Sequence, residues 1–270
     1  MKTYAPWHSR LALLLSLLLP IYFALAALGT KVGLWGWRTG LLTMTVQTGP
    51  MLLGIAALVA LVSLIVVLLK KPRAGWKQSL VALLVPVVIF GVLGYVRSQA
   101  ADIPPIHDIA TDVENPPAYS QATMDARIAN ESNPLNDYQT PLGEFDMYKE
   151  SDPELAQRSL AQVIPASYPD LASLPLGSTS EEDALVAISV AMNEMGFDNV
   201  VTDEAEKRVE GVAETFWFGF KDDVVARVAD GEIDFRSVSR VGMSDLGANA
   251  ARIGKLREAV AAQLNPGSAE

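Results

Sequence analysis

Arg236 and Arg240 lie four residues apart among serines, and the acidic pair Asp222 and Asp223 precedes them. Guanidinium groups form paired, charge-assisted hydrogen bonds with carboxylates and phosphates. Carboxylates can act as general bases beside a stabilised oxyanion. Three kinds of chemistry are therefore open to this cluster: capture of an anionic ligand or partner, hydrolysis, and an internal salt-bridge network.

The candidate site residues share polar or charged side chains in and around this stretch. They are Asp222, Asp223, Arg236, Ser237, Ser239, Arg240, Ser244, Asp245, Asn249 and Arg252. In the binding hypothesis, backbone N–H groups at Ser244–Leu246 help the arginines to hold an anion. In the hydrolase hypothesis, Asp222 or Asp223 is the base. No activated nucleophile is recognisable, so the sequence favours a binding or assembly module over an enzyme.

Composition removes several other chemistries. The chain has no cysteine, so disulfides, thiolate metal sites and cysteine nucleophiles are excluded. His8 and His107 are the only histidines, and His107 beside Asp108 is the one that could be an oriented base. We expect no metal and no other cofactor. The acidic C-terminal part also argues against nucleic acid as a partner, because nucleic acid requires a basic surface.

A β-hairpin is predicted to position the two arginines. Asp230-Gly231 is the two-residue turn typical of a type I′ connection between strands. That turn makes Ala229 face Glu232 and makes Arg227 face Asp234, a favourable cross-strand pair.

The same register assigns the acidic pair to opposite faces of the hairpin. Asp223 lies diagonally between Arg236 and Arg240, whereas Asp222 lies opposite Ser239 on a face that looks buried. We therefore expect Asp223 to bind both arginines and Asp222 to meet the serine hydroxyls. A bulge at the start of the first strand would shift this pairing by one residue.

Helical patterns flank the strands. The first begins at a cap formed by Thr179 or Ser180 and ends at Gly196. The last is predicted to begin with Ser244 as its N-cap. Two strands are predicted between them: a short one at Phe197–Thr202 and a second at Arg208–Phe220, which is rich in β-branched and aromatic residues. The fold class is α+β: three transmembrane helices, then an antiparallel sheet packed with two main helices.

The N-terminal third is built for a membrane. Residues 1–99 contain nine Lys/Arg and no acidic residue, whereas all 31 acidic residues follow Ala101. Three uncharged apolar runs, Leu11–Leu28, Pro50–Leu69 and Ser79–Val96, are each about long enough to span a bilayer. We divide the chain into a membrane anchor (1–98), a Pro/Asp-rich extended linker or strap (99–152), the α+β domain (153–265) and a tail (266–270).

Basic residues near the helix ends predict the orientation. With a cytoplasmic N-terminus, six lie inside and three outside. The prediction is a multi-pass protein of the bacterial inner membrane with a periplasmic C-terminal domain. Its expected partners are the lipid bilayer and a membrane or periplasmic protein. One alternative stays open: the first run ends in Phe23–Gly29, FALAALG, which also fits a cleaved signal peptide.

A family resemblance rests on specific residues. The stretches PPIHDIATDVENPP, FKDDVVARV and DFRSVSRVGMSDLGANAARI, with the Asp-Gly turn, resemble the bacterial and plastid family catalogued as domain of unknown function 1499. The resemblance covers roughly Ile103–Leu264 and is most specific over Lys221–Ile253. It implies the same domain type and, as in members with N-terminal spans, a role outside the cytoplasm. It implies no catalytic residue.

Overall fold

The computed structural model describes residues 4–264 of the 270-residue chain. The chain forms two compact units. The first comprises the chain up to Gln99 together with Thr215–Gly219, and the second comprises Ala100–Glu214 and the chain from Phe220 onward.

The first unit is helical. Its helices are α1 (Trp7–Lys31), α2 (Gly49–Leu69) and α3 (Trp76–Ala100), and a π-helical segment, Arg38–Thr48, runs directly into α2. Within residues 4–264, three helices are long and apolar enough to cross a membrane, as predicted. The second of them starts at Arg38, so the connection after α1 is shorter than the sequence suggested.

Buried serines join the three helices. The hydroxyl of Ser79 donates to Ser9 at 3.0 Å and lies 2.9 Å from the hydroxyl of Ser63. In an apolar surrounding, such groups hold helices together because they find their hydrogen-bond partners on neighbouring helices.

The second unit contains a six-stranded antiparallel sheet. Its strands are β1 (Asp108–Ala110), β2 (Leu174–Pro175), β3 (Asp198–Asp203), β4 (Arg208–Glu214), β5 (Lys221–Ala229) and β6 (Glu232–Ser239). The order is β1-β6-β5-β4-β3, and β2 also pairs with β6. The hairpin register is confirmed: Asp222 faces Ser239 and Ala229 faces Glu232. Asp230 and Gly231 both have positive φ, as a type I′ turn requires.

Two long helices cover one face of the sheet. They are α7 (Glu181–Glu194) and α8 (Ala248–Leu264), and their buried side chains include Ile188, Ile253 and Leu256. Ser180, not Thr179, caps α7, because its hydroxyl accepts from the backbone N–H of Asp183 at 3.1 Å.

The other face of the sheet is covered by part of the segment 99–152, which the sequence predicted to be an extended strap. That segment contains β1, which pairs with β6, and a nine-residue helix, α4 (Gln121–Ala129), that the sequence did not predict. Beyond it lie two shorter helices, α5 (Pro153–Ala156) and α6 (Leu160–Ser167). With α4 on one side and α7 and α8 on the other, both faces of the hairpin are buried.

Two element boundaries differ from the prediction. Strand β4 ends at Glu214 rather than Phe220, and a loop containing Gly219 at positive φ leads to β5. Helix α8 begins at Ala248 rather than just after Ser244. Leu246 and Gly247 both have positive φ, a conformation that cannot belong to a right-handed helix.

Candidate functional site

Asp223 is the centre of a buried ion cluster. Its carboxylate is 1% exposed and accepts from Arg240 Nε at 3.1 Å and from Arg240 Nη2 at 2.6 Å. Arg127 on α4 donates to the same carboxylate through Nη1. The expected pair of Asp223 with Arg240 is therefore present, and the second arginine comes from a helix that the sequence did not predict.

Arg236 does not bind Asp223, which corrects the expectation. It donates to Asp108 on β1 through Nε at 3.0 Å and Nη2 at 2.7 Å, and to the Pro117 carbonyl oxygen through Nη1 at 3.2 Å. The reason lies in the sheet order: β6 has β1 on its other side, and Asp108 sits opposite Val238. All three guanidinium nitrogens of Arg236 are thus satisfied inside the domain.

The Asp108 pocket is closed to solvent. Tyr138 donates to Asp108 at 2.6 Å, and the Arg236 guanidinium lies over the Tyr138 ring at 5.1 Å. Burial alone would raise the pKa of the Asp108 carboxyl, but Arg236 and Tyr138 hold that pKa below its ordinary value. Asp108 is therefore a carboxylate locked to one arginine, which makes it a structural ion rather than a proton acceptor.

His107, the candidate base, is buried as well. Burial lowers the pKa of His107, so the imidazole is neutral near pH 7. In the neutral ring, Nε2–H donates to the Pro134 carbonyl oxygen at 3.3 Å. Nδ1 then accepts from the Tyr148 hydroxyl at 2.8 Å. Both nitrogens have partners within the domain, which argues for a packing role.

On the opposite face, Asp222 binds Arg252 of α8 rather than a serine. Arg252 Nη2 donates to Asp222 at 2.5 Å, and its Nη1 donates to Ser237 at 2.9 Å. Asn249 donates to the Ser239 hydroxyl at 3.0 Å. These candidate residues come together as predicted, but as a network that joins the sheet to α8, and the serines bind the helix instead of Asp222.

The predicted anion site at the start of α8 is occupied by the protein itself. Asp245 accepts from the backbone N–H of Gly247 at 2.8 Å and from that of Asn249 at 2.7 Å. The Ser244 hydroxyl accepts from the Leu246 N–H at 3.2 Å. Burial raises the pKa of Asp245. Of the N–H groups predicted to hold an anion, that of Leu246 donates to Ser244 and that of Asp245 donates to the Ile106 carbonyl oxygen at 3.3 Å, so neither is left for a ligand.

A cleft of about 350 Å³ opens beside Asp223 and α4. Polar side chains from α4, β3, β4 and the end of β6 contribute to its lining, among them Ser120, Thr123, Asp203, Arg208, Glu210 and Arg240. Glu210 accepts from the Ser120 hydroxyl at 2.7 Å and from Thr123, so it helps to fix the start of α4. Arg208 Nη2 donates to Asp203 at 2.9 Å.

Two arginines on this cleft retain unused donors. Among the described residues, Arg240 Nη1 has no hydrogen-bond partner, while its other two nitrogens hold Asp223. Arg208 Nε is buried without a hydrogen-bond partner, although it lies 3.5 Å from the Glu210 carboxylate, with which it forms an ion pair. Unpaired buried donors are costly, so such groups mark places where water or a ligand completes the bonding.

The sequence reasoning missed Arg127, Arg208, Glu210 and Asp108. Arg208 and Glu210 had an available signal: strand alternation puts both on the face that carries Asp223 once β4 pairs with β5. Arg127 and Asp108 had none, because they lie in a proline-rich segment without periodicity.

The fold and the site together define an α+β domain, rich in buried ion pairs, on a chain with three apolar helices. The model of the family described as "Protein of unknown function (DUF1499)" matches residues 108–260, more than half of the chain, and the chain belongs to that family. The match begins at Asp108, the first residue of β1. Comparisons with curated proteins and with solved structures gave no match.

Proposed function

We propose that this protein is a membrane-anchored, extracytoplasmic binding module whose cleft beside α4 takes a small anionic group. One observation carries the proposal: Arg240 lines the cleft and has a guanidinium nitrogen, Nη1, without a partner among the described residues. Asp223 orients that guanidinium by taking Nε and Nη2. A donor fixed in this way loses little entropy when a carboxylate or phosphate oxygen accepts from it.

The charges of the cleft indicate what kind of anion fits. Arg208 and Arg240 line the cleft, and Arg127 binds Asp223 without lining it. These three arginines are balanced by Asp203, Glu210 and Asp223, so the site has no excess positive charge to attract a highly charged ion. A single carboxylate or phosphate group, carried on a larger molecule or a partner chain, suits such a site better. The hydroxyls of Ser120 and Thr123 are already engaged with Glu210.

A hydrolase that uses Asp222 or Asp223 stays the alternative prediction. The geometry favours it less, because each carboxylate is buried and its oxygens are engaged by at least one arginine, so neither is free to meet a substrate. Catalysis would be supported if the wild type turned over a substrate and Asp223→Asn abolished that turnover without unfolding the domain.

The binding prediction concerns Arg240. In the full chain in detergent, at constant ionic strength, we expect inorganic phosphate or acetate to raise the melting temperature saturably relative to chloride. A ligand at about 100 times its dissociation constant stabilises by about 2.7 kcal/mol. Arg240→Lys keeps a charge beside Asp223 but loses the planar fork, so most of this ligand-induced shift is expected to disappear.

Arg158→Lys is the matched control, because Arg158 lies outside the cleft and donates to a backbone carbonyl oxygen. It should retain the full shift. Comparing shifts rather than melting temperatures removes any general loss of stability in the variants. The proposal fails if neither anion stabilises the wild type, or if Arg240→Lys responds as strongly as the wild type does.

The topology prediction concerns the side of the membrane on which the C-terminal domain lies. A reporter that is active only in the cytoplasm is fused either to the C-terminus or just after Lys77, at the start of α3 and directly after the second connection. We expect activity only at Lys77, because this connection is rich in basic residues and basic connections stay inside. Activity at the C-terminus would contradict an extracytoplasmic domain and, with it, the proposed location.

A further inference from the structure

The loop between β4 and β5 exposes two large aromatic side chains. Phe216 is 72% exposed and Trp217 is 55% exposed, and their rings form an edge-to-face pair with centroids 5.2 Å apart. The sequence pattern predicts that both residues continue the strand, yet the structure turns them out at its end. A contiguous pair of exposed aromatic rings is unfavourable in water and typically marks an interaction surface.

The loop belongs to the same compact unit as the three apolar helices. Within that unit, Lys31, the last residue of α1, donates from Nζ to the Phe216 carbonyl oxygen at 3.1 Å. The same ammonium group lies 5.4 Å from the centroid of the Phe216 ring. Lys31 is the first charged residue after the apolar stretch of α1, so in a bilayer it marks the level at which hydrocarbon gives way to headgroups.

From these two observations we infer that Phe216 and Trp217 insert into the headgroup–acyl boundary of the bilayer that holds the chain's own helices. Trp is suited to this depth because its ring is largely apolar while its indole N–H finds polar partners among the headgroups. The occupant of the aromatic surface is therefore lipid. This inference rests on the proposed membrane anchoring and adds a second contact with the membrane, which begins 116 residues after α3 ends at Ala100.

The absence of cysteine allows a direct measurement of the loop's surroundings. Trp217→Cys in the full chain provides a single thiol for a polarity-sensitive fluorophore, and Val186→Cys on α7, where Val186 is 59% exposed, provides the matched control. Both proteins are reconstituted into vesicles of phosphatidylcholine and phosphatidylglycerol. Quenching is then measured with lipids spin-labelled near the headgroup.

We expect the probe at position 217 to be quenched at least twofold more strongly than the probe at position 186, with emission shifted to the blue. Trp217→Phe supplies a label-free check: the difference spectrum between wild type and variant should show blue-shifted tryptophan emission quenched by the same lipids. Quenching at 217 no greater than at 186 overturns the inference. A blue shift without lipid quenching also overturns it and assigns the surface to a protein partner or a second copy.

Vesicle flotation separates this inference from the proposed function. A chain that does not float with the vesicles has lost the proposed membrane anchoring itself. A chain that floats while its probe at position 217 stays unquenched keeps the anchoring and loses only the insertion of the aromatic loop.

Discussion

Replacing Asp223 by asparagine is expected to lower the free energy of unfolding of the C-terminal unit by about 3–5 kcal/mol. Asparagine keeps the shape of the side chain but removes the charge that Arg127 and Arg240 share. Arg127 is only 3% exposed, so its charge would be left without a partner in a surrounding that water hardly reaches. An uncompensated buried charge is among the few single changes with an effect of this size.

Hydrogen exchange by mass spectrometry on the full chain measures this effect, read at the amides of β5 and β6. Core amides exchange through global unfolding, so their protection reports the free energy of unfolding. Asp198→Asn is the control, because Asp198 is exposed on β3 and should change protection little. A loss below about 1 kcal/mol in Asp223→Asn would mean that the cluster is solvated and weak.

The second large effect concerns the Asp108–Arg236 pair. Asp108→Asn is expected to lower the free energy of unfolding by about 3–5 kcal/mol. All three guanidinium nitrogens of Arg236 have their partners inside the domain, so its buried charge would be left without a counter-ion. Adding Arg236→Met should recover much of that loss, since replacing both members of a buried ion pair by groups of similar shape is often nearly neutral.

A double-mutant cycle with Asp108→Asn, Arg236→Met and the double variant checks this. We expect an interaction energy of about 2 kcal/mol or more, and additive losses would contradict a coupled pair.

The dependence of stability on pH at Asp108 has a defined sign. Because the folded pKa of Asp108 is depressed, its contribution is present above the ordinary carboxyl pKa and is lost as pH falls through the folded value. Asp108→Asn should remove this part of the acid sensitivity.

Local patterns predicted much of the domain. The Asp230-Gly231 turn was enough to pair β5 with β6 residue by residue, because a two-residue hairpin leaves one register and strand alternation then assigns each side chain to a face. The three apolar helices and the helix ending at Gly196 followed from length and periodicity. Each of these rests on residues close together in the chain.

The ion partners were not predictable in the same way. Arg236 and Asp108 are 128 positions apart, and their contact exists only because β1 adds to the far edge of β6. Arg127 reaches Asp223 from α4, whose sequence shows no strong helical pattern. Leu246 and Gly247 interrupt the start of α8 through their backbone conformation, which the run SDLG does not reveal.

The sequence by itself determined the three apolar helices, the α+β class and the hairpin register. Charge distribution, hydrophobic length and turn chemistry act locally, and a sequence records them directly. Only the tertiary structure decided that Arg236 is fully bound, that Arg240 retains a donor in a cleft, and that Phe216 and Trp217 face outward. Those outcomes depend on which distant segment covers each face of the sheet, and long-range packing, not local pattern, makes that choice.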